Sequence, residues 1–170
     1  MRRLLSRTTT VFVAAAAAGL LLASCASAAP SVDLDAAREW VEGVQADESD
    51  GPGAAGTATL LVEPGVEDEL DDEGDPAGSI RLDFASEATL TRADAACFGG
   101  DTLEVAVTVF TTSGDTQQSD SYSGEIPCDE EMHEIDLGGT PGSSVLIEAR
   151  GDTATYAYVR VMQGLTISND

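Results

Sequence analysis

The side chains able to do chemistry are few in kind and unevenly spaced. One histidine, His133, stands among 31 acidic residues and three cysteines, Cys25, Cys97 and Cys128, and the formal net charge is −23. No serine or cysteine stands in a nucleophile motif with His133, and one histidine cannot supply the usual zinc ligand set. With so many carboxylates, pairs spaced for glycoside hydrolysis arise by chance. The sequence is therefore read as non-enzymatic. Two other groupings carry binding chemistry. The acidic run Glu67–Asp75 offers Glu69, Asp71, Glu73 and Asp75 as oxygen ligands for calcium. With Gly74 at loop position 6, three of them fall at ligand positions of an EF-hand. Ile80 then occupies position 12, where a bidentate glutamate is required, and Pro76 intervenes. The run reads either as a solvated, self-repelling loop or as a looser calcium site; no other cofactor is expected. The second grouping is Tyr156, Tyr158 and Arg160, alternate residues that a strand would project from one face. Such a stripe either holds a sugar, peptide or protein surface or covers a sheet face with its rings.

At the N-terminus, Arg2, Arg3 and Arg7 precede an apolar run that ends at Leu22-Ala23-Ser24-Cys25. A basic leader, an apolar stretch of about 13 residues and small residues behind it make an export signal; about 20 Å of helix is too short for a ~30 Å hydrocarbon core. Leu22-Ala23-Ser24-Cys25 closely resembles the lipobox of bacterial lipoproteins. The resemblance implies cleavage before Cys25, a diacylglyceryl thioether on its sulfur and an acylated N-terminus, hence a protein held by acyl chains at the extracytoplasmic face of the cell membrane. Ordinary cleavage near Ser27-Ala28-Ala29, discarding Cys25, is the competing reading. In an exported chain Cys97 and Cys128 are expected to form a disulfide.

Every carboxylate follows residue 24, against five arginines and no lysine. A charge of that sign repels nucleic acid and anionic lipid, so the membrane is to be reached through the acyl chains on Cys25. The other partner class left open is an unidentified protein or envelope component.

The expected organisation is a signal peptide over 1–24, an acylated tether, short helix and linker over 25–56, and a disulfide-stapled β domain over 57–170. Asp33 caps a helix with Leu34, Ala37, Val41 and Val44 on one face and Trp40 beside them; Gly43 weakens its end. Gln45–Gly56 reads as a linker. Strand patterns follow at Thr57–Val62, Ser79–Phe84, Ala88–Arg92 and Leu103–Phe110, the last expected in the middle of a sheet. A polar turn around Gly114-Asp115 leads to a return strand marked by Tyr122. Gly138–Gly142 reads as a turn, and Val145–Arg150 and Thr155–Met162 as a hairpin about Gly151-Asp152. Seven or eight short strands predict a mainly β protein, a small antiparallel β-sandwich or alternatively a small β-barrel, with one short N-terminal helix. An immunoglobulin domain is disfavoured, since no tryptophan lies between the cysteines. The functions that fit are a lipid-anchored interaction or accessory module, or a small-ligand or calcium-dependent binding domain.

Overall fold

In the computed structural model, residues 32–48, 53–65, 70, 74–113 and 116–164 are described. The lipobox, the tether before Val32 and the calcium candidates Glu69, Asp71 and Glu73 lie outside them.

Alternating apolar residues set the sheet. One helix, α1 (Leu34–Glu48), precedes β1 (Ala54–Val62), β2 (Ile80–Phe98), β3 (Thr102–Ser113), β4 (Thr116–Pro127), β5 (His133–Arg150) and β6 (Thr155–Gln163). All pairings are antiparallel, in the order β1-β6-β2-β5-β3-β4. The outermost strands, β1 and β4, are not paired to each other among the described residues, so the sheet folds into a sandwich and does not close as a barrel.

Two long strands make that folding possible. The first part of β2 pairs Ile80 and Leu82 with Ile147 and Val145 of β5, whereas its second part pairs Arg92 and Ala95 with Asp136 and His133. Register breaks between Asp83 and Ala88 and between Leu90 and Arg92 leave unmatched residues at these positions. Unmatched residues bend a strand and raise its twist. Each long strand thereby passes from one layer to the other. The first layer holds β1, β6, the end of β2 and the start of β5; the second holds the start of β2, the end of β5, β3 and β4.

Between the layers lies one apolar core, in which Leu103, Val105, Val107 and Val109 of β3 face Ala93, Ala95, Leu137, Val159 and Val161 with no exposed surface. The layers approach closely at Gly142, where a Cβ would sit 2.6 Å from Val109 Cγ1 and 3.1 Å from Leu90 Cδ1. Tyr122 of β4 is hydrogen-bonded to Thr140 of β5, whose own hydroxyl donates to the Leu137 carbonyl at 2.7 Å; the tyrosine is therefore the donor. Cys97, at the end of β2, and Cys128, just after β4, are joined as a disulfide with Cα atoms 4.7 Å apart, a covalent link between layers.

Several sequence expectations are corrected. The helix continues past Gly43 to Glu48 and β1 starts at Ala54, so the stretch from Gln45 to Gly56 is not one linker. Ala37 and Val41 are buried, and that packing outweighs the glycine's modest propensity cost. Ser79–Phe84 and Ala88–Arg92 belong to one strand, and β5 runs through Gly138–Gly142 without reversing. The glycine signal there marks a bulge: Gly138 and Gly139 take φ of 66° and 73°. β5 and β6 do not form a hairpin, because β6 lies between β1 and β2 in the first layer while the end of β5 belongs to the second. The expected β3–β4 hairpin does form, paired from Thr102–Pro127 to Ser113–Thr116, and β3 is interior, flanked by β4 and β5.

The disulfide spans 31 residues of sequence, and opening a loop of that length costs about 4 kcal/mol in the chain-entropy model. Replacing Cys97 and Cys128 together by alanine is expected to lower the urea unfolding free energy by about that amount; an unchanged midpoint would contradict the assignment of this link as a principal stabiliser.

Candidate functional site

The Tyr156, Tyr158 and Arg160 stripe forms as the alternation requires. Their neighbours Ala157, Val159 and Val161 point into the core, so the stripe lies on the outer face of the first layer. Its middle residue is covered. Tyr158 is 1 % exposed, opposite Ala96 of β2 and Thr59 of β1, and α1 packs on this side of β6 with Ala37 and Val41 buried. The helix's apolar face needs a surface to cover, and β6 and the Phe98 ring provide part of it. Tyr158 is thereby withheld from a ligand, while Tyr156 is half-buried.

Arg160 is held by a residue that the sequence pattern did not single out. Asp94 lies directly opposite it on β2, and Arg160 Nη2 donates to Asp94 Oδ2 at 2.9 Å. Both side chains are close to nine-tenths buried. Arg92 Nε lies 2.9 Å from Asp94 Oδ1 and Arg92 Nη1 3.5 Å from Glu134 Oε2. The Arg92 Nε–H is not aimed at the carboxylate, so that contact is an ion pair without an aligned hydrogen bond. The result is a row Arg160–Asp94–Arg92–Glu134 across the outer face, with opposite charges adjacent. Removing one member of such a buried pair strands the other. Among 31 carboxylates, Asp94 carries no local mark; only the register that sets it beside Arg160 does.

On the second layer, Asp75 is engaged by Arg81, whose Nε and Nη2 donate to its two oxygens at 3.1 and 2.8 Å. The Arg81 guanidinium also lies 4.6 Å from the Phe110 ring centre, a cation–π distance. The hydrogen bond from Arg81, aided by its charge, holds the Asp75 carboxyl below its ordinary value of 3.8. Of the calcium candidates, the one described residue is thus already hydrogen-bonded within the protein. Among the described residues no group of three or more His, Cys, Asp or Glu side chains is arranged to hold a metal ion.

His133 places Nε2 2.9 Å from Asp129 Oδ1, near the chain reversal between β4 and β5. That hydrogen bond, with a further one from the Glu131 backbone, lowers the Asp129 carboxyl below 3.8. The pair clips a turn. Glu130, at φ 67°, completes the same reversal.

The concavities are small or open. One lined by Val62, Ala77, Ser79 and Ala149 has room for about 20 Å³, the scale of a single water. Another, bounded by Glu104, Glu125, Arg150 and Asp152, is a polar depression about 330 Å³ in volume, open to solvent. No protein-family model matches the chain, and no curated protein matches it. No helix among the described residues is long and apolar enough to cross a membrane.

Replacing Asp94 by asparagine is expected to cost about 3 kcal/mol, because the buried carboxylate that lies between Arg160 and Arg92 loses its charge; the paired change Asp94→Leu with Arg160→Met is expected to cost less. Denaturation of the three proteins in urea measures both. Asp75 and Asp129 give a second expectation. Their folded-state values lie below the unfolded 3.8, so their contribution is fully present above that value and is lost as pH falls through the lower folded values. A urea midpoint followed downward from about pH 5 should drop in that window, less steeply in Asp75→Asn.

Proposed function

We propose that this protein is a lipid-anchored, extracytoplasmic interaction or accessory module without catalytic activity of its own. The observation that carries the reading is how the three cysteines divide: Cys97 and Cys128 are paired inside the sandwich, and Cys25 stands alone at the end of an export signal in a lipobox-like sequence. A structural disulfide suits an oxidising compartment, in agreement with export. Acylation of Cys25 joins the domain to the outer face of the cell membrane, with the short chain 26–31 as its leash.

Binding of another protein or envelope component is favoured over a small ligand for a physical reason. In the stripe that would have stacked a ligand, Tyr158 is buried and Arg160 is ion-paired, and the described concavities are water-sized or open to solvent. Broad sheet surfaces and loops remain as the contact areas, and their negative charge suits a partner with a basic or neutral face.

The full chain grown with a radioactive fatty acid should carry label and partition into detergent, and Cys25→Ser should abolish both while leaving a folded domain. Label persisting in Cys25→Ser would put the anchor on another residue. A parent protein without label would end the reading. Pull-down with the acylated protein from its native membranes then identifies the partner.

A further inference from the structure

The outer face of the first layer carries an apolar row at one end of the sandwich. Leu61 lies opposite Tyr156 where β1 ends and β6 begins, and Tyr156 lies opposite Phe98 where β2 ends. Trp40 of α1 continues the row, its ring centre 5.9 Å from that of Phe98. The three rings are half-buried and Leu61 is 40 % exposed, so each retains surface toward solvent.

The same end receives the chain from the N-terminus. Val32 is seated on Gly99, immediately after Phe98, where a Cβ would come within 3.0 Å of Val32 Cγ2; the positive φ of 79° at Gly99 provides that seat. From Cys25 to Val32 the backbone spans at most about 25 Å when extended. An acylated Cys25 therefore keeps this end, and not the opposite end of β3 at Thr112, within reach of the bilayer. Tryptophan and tyrosine favour the boundary between hydrocarbon and water, where an apolar ring and a polar tip are both accommodated. A short leash makes even weak insertion an intramolecular event at high effective concentration.

We infer that the row Leu61–Tyr156–Phe98–Trp40 docks on the lipid surface and sets the orientation of the domain, with the Thr112 end of β3 directed away from the membrane. This rests on the proposed anchor at Cys25. The exposed acids Asp33, Glu63, Asp101 and Asp152 at or near this end limit the contact to uncharged or zwitterionic headgroups, since anionic lipid repels them at low salt.

Trp40, the single tryptophan of the chain, is its own reporter. The full acylated protein is incorporated into phosphatidylcholine vesicles, with and without acyl chains brominated near the headgroup, and flotation is scored beside fluorescence. The expected result is a blue-shifted Trp40 emission quenched by brominated lipid. Leu61→Asp should still float but lose the quenching, with Leu61→Gln intermediate; phosphatidylglycerol at low ionic strength should weaken it and added salt restore it. Protein that floats while Trp40 stays unquenched, or quenching unaltered by Leu61→Asp, overturns the docking and leaves the anchor standing. Protein that does not float overturns the anchor and the docking together.

Discussion

The β2–β5 ladder is the constraint on which the rest of the structure depends. Both strands belong to both layers, so their shared pairing fixes how the layers face one another. The bulges that interrupt the ladder turn it from one layer into the next and place Leu90 beside the glycine at 142. A single continuous sheet can then enclose a core of valines, leucines and alanines from five of its strands, with the end of β4 adding Ile126. The disulfide joins the two layers again at a second place, from the end of β2 to the residue after β4.

Outside that core, the first layer's outer face has two distinct zones. One is the Arg160–Asp94–Arg92–Glu134 row, where adjacent opposite charges compensate each other at partial burial. The other is the aromatic end at Tyr156, Phe98 and Trp40, left incompletely covered whereas Tyr158 is buried. Packing, charge compensation and residual apolar exposure thus divide one sheet face. Val32, seated on Gly99, falls on the apolar side of that division.

Acid excess is only partly compensated within the fold. Asp75 and Asp129 have specific donors in Arg81 and His133, but five arginines cannot neutralise the carboxylates that follow residue 24. The excess leaves the chain with a strongly negative formal charge, which repels other negatively charged surfaces. That field acts over roughly a Debye length, about 8 Å at physiological salt.

Local sequence determined the elements whose signals are themselves local. Alternation over Leu103–Val109 marked an interior strand, the Asp33 cap marked the helix start, and two cysteines behind an export-like leader marked a disulfide. Strand partners were a different matter. A glycine-rich stretch such as Gly138–Gly142 has the same composition whether it reverses the chain or bulges within a strand, and the Gly151-Asp152 stretch does not reveal which layer receives β6. Those choices depend on burying one core between two layers, a constraint shared by residues far apart in sequence. The same is true of the tyrosine stripe: alternation put Tyr156, Tyr158 and Arg160 on one face, and only tertiary packing decided that Tyr158 would be buried and that Asp94, 66 residues away, would hold Arg160.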